Sequence, residues 1–396
     1  MLYGKFLNIA SISLHIYIIE WLPMDNKTAG LLDGLSRLIA NTPMLKVEYT
    51  FKGKPRCIFT KAENFNMTGS IKDRMAFHII QESYRSGKIK EGDHIIEATS
   101  GNTGISFAAI GRLLGHPVTI YMPDWLSQER VNIIRSFGAD IRLVSKEEGG
   151  FLGSIEMAEE MARKDPDTYF LPRQFSNQYN VDAHYETTGK EIFWQLQFRE
   201  TEIGAFVAGV GTGGTIMGAG KYFKRKNPNT LVFPLEPANS PTLSTGCKVG
   251  KHRIQGISDE FIPEIVKLNE CDKVIAVDDG DSIIMAQKLA SRGLGVGISS
   301  GSNFIGAVMI QNELGDDVVV ATVFPDDNKK YLSTDLMKKE PVKPGFLSPD
   351  IEIISISTLK RLCYVNCEYP DCPESHYHEI DGDLIPKSCS KRANVC

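Results

Sequence analysis

The sequence predicts an α/β fold built around mostly parallel sheets. The chain has 396 residues, enough for one large domain or two ordinary ones. From Leu31 to about Phe324, apolar runs of strand length alternate with helical patterns, which is typical of parallel strands joined through helices. Several of the strand-like runs are continuous Val and Ile segments, as expected of strands that are covered on both faces.

The predicted elements follow one another in chain order. The predicted strands are Cys57–Lys61, His94–Ala98, Val118–Met122, Asp140–Val144, Ala205–Val210, Leu231–Leu235, Lys273–Val277 and Asp317–Val323. The helical stretches between them include Thr103–Leu114, Gln128–Phe137, Ile155–Lys164 and Asp281–Arg292. From about Lys338 the composition shifts and prolines follow in quick succession, so the catalytic body is predicted to end there.

Composition and charge argue against several classes of protein. The net charge is −5 and no basic stripe is present, so no nucleic-acid partner is expected. The apolar run Phe6–Ile19 is too short for a comfortable membrane span, and residues 1–23 are predicted to be an extension outside the fold. No membrane association is expected. Scattered cysteines in the body (Cys57, Cys247 and Cys271) favour a reduced, cytoplasmic protein.

Lys72 is the candidate nucleophile. A short polar loop with Gly69 runs into a helix-like pattern after Ile71, which places Lys72 at or near a helix N-terminus. Amide dipoles there carry partial positive charge and, together with burial, lower the pKa of a lysine. A neutral lysine amine forms Schiff bases with carbonyl cofactors. A lone lysine at such a place is more often a surface residue, so the assignment depends on the motifs that follow.

The loop Thr99–Gly104 is a candidate carboxylate site. It lies between the predicted strand His94–Ala98 and a helix, so several backbone N–H groups are free to bind an anion. Its threonines, serine and asparagine supply more donors than N-capping requires. The loop suits the carboxylate of an amino acid.

The loop Gly211–Thr215 is a stronger anion site. Its three glycines allow close backbone approach to a phosphate, and a helix N-terminus follows. No Lys-Ser or Lys-Thr pair follows, which excludes a nucleoside-triphosphate loop, and the spacing does not match a dinucleotide fingerprint. A monophosphate is the simplest ligand. A third loop, Gly295–Gly301, is a weaker signal because Gly and Ser loops are usually turns.

These motifs together indicate pyridoxal 5'-phosphate as the cofactor. A cofactor with one phosphate and one aldehyde would use the phosphate loop and the amine of Lys72. An amino-acid substrate would use the carboxylate loop.

The chain resembles the cysteine synthase and cystathionine β-synthase family of fold-type II pyridoxal-phosphate enzymes. The resemblance runs from about Gly34 to Asp335 and rests on a combination of motifs: Asn41-Thr42-Pro43, Gly69–Arg74, Thr99–Gly104, Gln174–Asn177, Gly211–Thr215 and Tyr331–Asp335. It implies a tryptophan synthase β-like fold with two three-layer α/β/α domains and the cofactor in the cleft between them.

The resemblance also implies a division into domains. Residues 24–65 and 180–337 would form the larger domain, which binds the cofactor phosphate. Residues 66–179 would form a smaller, mobile domain with the Schiff-base lysine and the carboxylate loop. Residues 338–396 would be a Cys-rich C-terminal tail. Closure of the smaller domain over a bound carboxylate would exclude water.

Roles for single residues follow from the same resemblance. Lys72 would hold the cofactor and act as the general base, and Asn102 would bond the ring hydroxyl. Ser299 would meet the pyridine nitrogen and leave it largely unprotonated. The phosphate would be bound by Gly211, Thr212, Gly213, Gly214 and Thr215, and the substrate carboxylate by Thr99, Ser100, Thr103 and Gln174.

The implied reaction is β-replacement on an activated serine, or on cysteine, through an α-aminoacrylate. Cysteine synthase, which makes cysteine and acetate from O-acetylserine and sulfide, is the main expectation. Small-molecule amino-acid substrates and a homodimer are expected. An inactive relative that binds a partner and a serine or threonine deaminase are the remaining alternatives.

Two stretches depart from the family pattern. The segment Ser258-Asp259-Glu260 stands where the family usually has small residues. Asp259 could orient a second amino acid or move a proton to a thiol. Either role would allow cystathionine-, lanthionine- or diaminopropionate-type products, or hydrogen sulfide release from cysteine. A solvated turn is the alternative. The tail carries Cys363, Cys367, Cys372 and His376 as metal-ligand candidates, but the spacing is not that of common zinc sites, and no metal is the preferred reading.

Overall fold

The structure is a computed structural model that describes residues 25–359, 361–362, 377–380 and 383–386. The helices are α1 Asn26–Ser36, α2 Lys72–Arg85, α3 Asn102–Leu113, α4 Gln128–Ser136, α5 Gly150–Lys164, α6 Gln178–Ala183, α7 Lys190–Gln197, α8 Gly214–Lys226, α9 Thr242–Thr245, α10 Asp279–Ser291 and α11 Ile298–Leu314. The strands are β1 Met44–Phe51, β2 Lys54–Ala62, β3 His94–Ala98, β4 Val118–Pro123, β5 Asp140–Val144, β6 Tyr169–Phe170, β7 Ala205–Gly209, β8 Leu231–Pro237, β9 Ile275–Val277, β10 Val320–Phe324, β11 Ile351–Leu359, β12 Tyr377–Ile380 and β13 Asp383–Pro386.

The larger sheet has the strand order β11-β1-β2-β10-β7-β8-β9. The pairs from β2 through β9 are parallel, whereas β1 pairs antiparallel with both β2 and β11. Alternate residues of β7 serve opposite faces: Val207 packs with α10 and α11, while Phe206 and Ala208 pack with α7 and α8. Because both faces are covered by helices, the strand is apolar throughout.

The smaller sheet has the order β5-β4-β3-β6 and is parallel throughout. Ile95 faces a core formed with α2 and α3, and Ile96 faces a second core formed with α5. Both sheets are therefore covered by helices on their two faces. The predicted α/β fold with mostly parallel sheets is confirmed.

The core contacts divide the chain differently from the expected domain boundaries at two places. Leu32 and Leu35 of α1, and Ile39, pack with Met75 and Ile79 of α2 in the core of the smaller sheet. At the other end, β11 extends the larger sheet into the region 338–396 that the sequence assigns to the tail. The division of the chain into domains stays a prediction.

A buried ionic cluster fixes the beginning of α2. Arg74 donates to Glu63 at 2.6 Å and to Glu191 at 2.7 Å, and Lys61 donates to Glu191 at 2.8 Å. Although burial works against it, the positive charges of Arg74 and Lys61 hold the pKa of Glu191 at about 2. Removing one partner from such a cluster leaves a buried charge unpaired, at a cost of roughly 3–5 kcal/mol. The cluster therefore holds the backbone at Arg74, two residues after Lys72, in a fixed position.

The described part of the C-terminal region contacts the body. Leu362 exchanges backbone hydrogen bonds with the Asn41 side chain, at 2.9 and 3.0 Å, and β12 and β13 form a two-stranded hairpin. The metal-ligand candidates Cys363, Cys367, Cys372 and His376 lie outside the described residues. Within the described ranges, no cluster of His, Cys, Asp and Glu could hold a metal, and no helix has the length and apolar character needed to cross a membrane.

Candidate active site

One cavity between the two sheets brings most of the predicted site residues together. It opens where β3, β7 and β10 end, which is the usual place for ligands in parallel α/β sheets. The predicted residues that line it are Lys72, Thr99, Ser100, Asn102, Thr103, Gln174, Gly211, Thr212, Thr215, Asp259 and Ser299. The other two cofactor-binding candidates, Gly213 and Gly214, do not line it; they are the N-cap and the first residue of α8, in sequence between the lining residues Thr212 and Thr215.

Lys72 is the first residue of α2 and faces this cavity. Burial lowers its pKa, and the negative charges of Asp259 and Asp326 oppose that effect. No described residue forms a hydrogen bond or ion pair with its amine. The loop before it is fixed by Asp73, which accepts hydrogen bonds from Thr68 N at 2.7 Å and from Ser106 Oγ at 2.6 Å. The backbone at Lys72 is therefore fixed, while its amine, with a lowered pKa, is left without a hydrogen bond from any described residue.

The carboxylate loop joins β3 to α3. Gly101, at its centre, has φ +155° and is the N-cap residue of α3, which therefore has no side-chain cap at that position. Thr103 Oγ1 donates to Gln174 Oε1 at 2.6 Å, and Gln174 Nε2 donates to Ala98 O at 2.7 Å. The hydroxyl and amide groups predicted to bind a carboxylate are therefore adjacent, at the amino end of a helix whose first N–H groups suit an anion.

The phosphate loop joins β7 to α8. The N-cap residue Gly213 has no side chain to cap α8, and one first-turn amide, Gly214 N, has a long 3.5 Å bond to Thr212 Oγ1. The other first-turn amides have no side-chain cap and suit a ligand. A Cβ on Gly211 would lie 2.5 Å from Gly256 O, and one on Gly214 would lie 2.0 Å from Asn180 Oδ1. Only glycine fits at these two positions, because a side chain would clash there. The backbone of the loop can therefore lie close to the cavity. Asn180 Nδ2 donates to Thr212 Oγ1 at 2.9 Å and steadies the loop.

Thr215 has a buried histidine behind it. His184 lies within the π-helical turn His184–Gly189, with Nδ1 at 2.9 Å from Thr188 Oγ1 and Nε2 at 3.4 Å from Thr215 Oγ1. Burial and the positive charges of Arg74 and Lys72 hold its pKa well below the usual value. The imidazole is neutral at working pH and can orient the Thr215 hydroxyl without adding charge.

Asp259 enters the cavity, whereas Glu260 turns away and pairs with Lys248 at 2.9 Å. Ser258, just before it, has φ +57°, a left-handed conformation that costs a non-glycine residue roughly 1 kcal/mol or more. The conformation is held because Ser258 N donates to Val210 O at 2.8 Å and its hydroxyl donates to Ser240 O at 3.1 Å. Burial raises the pKa of Asp259 to about 6.

The sequence reasoning missed a second cavity carboxylate, Asp326. It follows β10, is buried, and accepts a 2.7 Å hydrogen bond from Asn102 Nδ2. The only signal was its place after an apolar strand, in the segment Pro325-Asp326-Asp327. It also missed Asn180, whose contact with Thr212 depends on the packing of α6 against α8.

Comparison with known proteins identifies the family. The model of the pyridoxal-phosphate dependent enzymes matches residues 35–326. The chain belongs to this family. Among curated relatives, the cysteine synthase of Staphylococcus aureus is 39% identical over 306 residues, covering 77% of this chain and 97% of the relative. Cysteine synthase B of Campylobacter jejuni is 41% identical over 302 residues, covering 76% and 97%.

Solved structures of the family agree with the fold. A hydrogen sulfide-producing enzyme from Fusobacterium nucleatum is 60% identical with a TM-score of 0.81, covering 84% of this chain and 100% of that one. A mutant form of a hydrogen sulfide-producing enzyme, in complex with an α-aminoacrylate intermediate, has a TM-score of 0.82 at 60% identity, covering 83% and 99%. The cysteine synthase of Entamoeba histolytica is 32% identical with a TM-score of 0.72, covering 87% and 98%.

The protein is therefore a pyridoxal-phosphate-dependent enzyme of the cysteine synthase type, and the expected cofactor and fold-type II family are confirmed. The site fits this cofactor on its own evidence. A partner-free lysine faces the cavity, an uncapped helix with a glycine wall suits a phosphate, and the buried Asn102 Oδ1 has no partner within the described residues.

Proposed function

We propose that the cavity at Lys72 catalyses β-replacement on an activated serine, with cysteine formation from O-acetylserine and sulfide as the main reaction. The observation that carries this proposal is the position of Lys72 between the carboxylate loop Thr99–Gly104 and the phosphate loop Gly211–Thr215, all lining one cavity. Such a site binds a three-carbon amino acid at one end and a phosphorylated cofactor at the other.

The cofactor would be held by Lys72, by Asn102 and Ser299, and by the phosphate loop. Once bound there, it supplies an electron sink that allows an α-proton and a β-substituent to leave an amino acid. Ser299 lies in the first turn of α11 and is buried at the cavity wall. Because a hydroxyl carries no charge, it would leave the ring nitrogen largely unprotonated, which suits β-elimination.

Substrate binding is assigned to Thr99, Ser100, Thr103 and Gln174. Two of these side chains already hydrogen-bond to each other, so little ordering remains when the substrate carboxylate binds. Binding places the substrate α-carbon near Lys72. The lowered pKa of Lys72 favours the neutral amine, which can accept the α-proton and return it later.

A second candidate reaction is the release of hydrogen sulfide from cysteine as first substrate. Asp259 favours it, because a carboxylate with a pKa of about 6 inside the cavity can exchange a proton with a thiol near neutral pH. The 60% identity to hydrogen sulfide-producing enzymes supports it further. The same residue could also orient an amino-acid nucleophile.

Initial rates separate these reactions. Holoenzyme is supplied with O-acetylserine and sulfide, with cysteine alone, with cysteine and an amino-acid thiol, and with serine. The proposal expects cysteine formation from O-acetylserine and sulfide to be the fastest. A larger rate of sulfide release from cysteine would favour the second candidate. Pyruvate from serine as the main product would support the deaminase alternative, and no turnover would support the inactive relative.

The assembly and location of the enzyme belong to the same proposal. Large apolar side chains such as Phe65 (56% exposed) and Met337 (61% exposed) would be covered in a homodimer. Cys57, Cys247 and Cys271 are free thiols, as in a reducing cytoplasm. Analytical ultracentrifugation tests the dimer, and fractionation of the source cells tests the location.

A further inference from the structure

Asp326 is a buried carboxylate for which the reaction described above has no use. Its side chain is 1% exposed, two residues beyond the end of β10, and it lines the same cavity as Lys72 and Asn102. Burying a carboxylate costs free energy unless hydrogen bonds and charges compensate for it. Its partners therefore indicate why it is there.

Both hydrogen bonds to the Asp326 carboxylate within the described residues reach the same oxygen. Asn102 Nδ2 donates to Oδ2 at 2.7 Å, and the Tyr331 hydroxyl donates to Oδ2 as well. An ionised carboxylate only accepts hydrogen bonds, so the amide of Asn102 must turn its NH₂ group towards Asp326. One N–H of that group and the carbonyl Oδ1 are left for the cavity, and Oδ1 is buried without a partner within the described residues.

The space around Asp326 is shaped for its side chain, although Oδ1 has no hydrogen-bond partner within the described residues. A Cβ on Gly297 would lie 2.2 Å from Asp326 Oδ1, so only glycine leaves room at that position. Gly297 N also donates to Asp326 O at 3.2 Å. Burial raises the pKa of Asp326, and the positive charge of Lys330 opposes that rise without cancelling it. Lys330 is anchored by donating to Gly69 O at 3.1 Å.

The same group of residues holds the carboxylate loop at a second point. The guanidinium of Arg130 lies 4.9 Å from the centre of the Tyr331 ring, and Nη1 donates to Ser100 O at 3.3 Å. A Cβ on Gly101 would lie 2.4 Å from Arg130 Cδ. The loop Thr99–Gly104 is thus held at Ser100 through Arg130 and Tyr331, and at Asn102 through Asp326.

We infer that Asp326 is a positioning residue that acts through Asn102, by fixing which edge of the Asn102 amide faces the cofactor ring. This rests on the role proposed above for Asn102. The plainer alternative is a tie between the two sheets that holds the fold together and has no effect on the cofactor. The two differ while Asn102 is present: a positioning residue then changes cofactor binding and ring orientation, whereas a tie between the sheets changes neither. Once Asn102 is gone, a positioning residue has no further effect on cofactor binding.

A double-mutant cycle tests this with the holoenzyme. Asp326→Ala, Asn102→Ala and the double variant are compared for the dissociation constant of pyridoxal 5'-phosphate and for the visible circular dichroism of the bound cofactor, which reports ring orientation. Each single variant is expected to weaken binding roughly tenfold, the size of one hydrogen bond that involves a charged group. The double variant should bind no more weakly than Asn102→Ala alone.

Two further variants keep the test decisive. Asp327 is a carboxylate beside Asp326 that does not line the cavity. Asp327→Asn should therefore leave both the dissociation constant and the dichroism unchanged. Tyr331→Phe removes one hydrogen-bond donor to Asp326 without opening a cavity. If Asp326→Ala does not fold, this variant replaces it in the test, and we expect it to change the dichroism less than the loss of the Asp326 carboxylate would.

Fully additive losses in the double variant, or unchanged affinity and dichroism in Asp326→Ala and Tyr331→Phe, would overturn the inference while leaving the proposed function intact. Unmodified protein that binds no cofactor would overturn both.

Discussion

Thr103 donates a 2.6 Å hydrogen bond to Gln174 and thereby joins the carboxylate loop at the start of α3 to the segment after β6. Gln174 is held in turn by its bond to Ala98 O at 2.7 Å. Two residues from distant parts of the chain are therefore placed before any substrate arrives. Such preorganisation reduces the entropy lost when a ligand binds.

Thr103→Val should weaken binding of the amino-acid substrate. Valine keeps the shape of threonine and removes the hydroxyl, so that Gln174 Oε1 loses its donor and the amide that would meet the carboxylate is no longer held in place. We expect KM for O-acetylserine to rise about tenfold, with a smaller change in kcat, as for the loss of one or two hydrogen bonds. Steady-state kinetics measure this. Thr103→Ser keeps the hydroxyl and should stay within about threefold; equal losses in both variants would contradict the assignment.

Gly214→Ala should impair cofactor binding. The new Cβ would lie 2.0 Å from Asn180 Oδ1, and Asn180 holds Thr212 in the phosphate loop. Overpacking of this kind costs roughly 1–3 kcal/mol, so we expect about tenfold or more loss of affinity for pyridoxal 5'-phosphate in equilibrium dialysis. Gly30→Ala, in α1 with nothing within 4 Å of its Cβ, is the matched control. Unchanged affinity in Gly214→Ala would argue against the phosphate loop.

Asp259→Asn should alter proton transfer and should not alter cofactor binding. The sulfur of cysteine must gain a proton as it leaves, so the protonated form of Asp259 is the active one. With a pKa of about 6, Asp259 loses its proton as the pH rises from 5 to 7, so kcat/KM for cysteine should fall across that range in the unmodified enzyme. In Asp259→Asn this pH dependence should be absent, and the rate with cysteine should fall by about 10²-fold or more. The rate with O-acetylserine and sulfide should change little. Equal loss with all substrates would remove the special role of Asp259.

Glu97→Gln should change how stability depends on pH. Burial raises the pKa of Glu97 to about 8, against hydrogen bonds from Ala98 N and Gln174 N. Between pH 4.5 and 8 the folded state therefore holds a proton that the unfolded state has lost, and stability falls as the pH rises, by about 1.4 kcal/mol per unit.

Glutamine has no such titration. The free energy of unfolding of Glu97→Gln, minus that of the unmodified protein, should increase from pH 5 to pH 8 in urea denaturation. A flat difference for Glu97→Gln would show that Glu97 is not buried as described.

Local patterns in the sequence predicted most of the central strands and the loops that follow them. His94–Ala98 and Asp140–Val144 are strands with the predicted bounds, and α2 begins at Lys72 itself. These features are predictable because a buried parallel strand is apolar along its whole length and a helix N-terminus has its own residue preferences.

Other features depend on contacts between distant segments and were not predicted. Strand β11 is half-exposed at a sheet edge and is defined by its pairing with β1, 300 residues away for pairs such as Phe51 and Ile351. Asp326 resembles any acidic residue after a strand until the fold places Asn102 against it, 224 residues away. The sequence also could not show that Asp259 enters the cavity while Glu260 turns to Lys248, because the backbone of Ser258 decides this.

The most direct test of the account is to reduce the purified protein with borohydride, digest it and locate the cofactor by peptide mass spectrometry. The account predicts one pyridoxyl adduct, on Lys72, and none in Lys72→Ala, which should also lack visible absorbance. An adduct on another lysine, or no adduct in protein that has been supplied with pyridoxal 5'-phosphate, would contradict it.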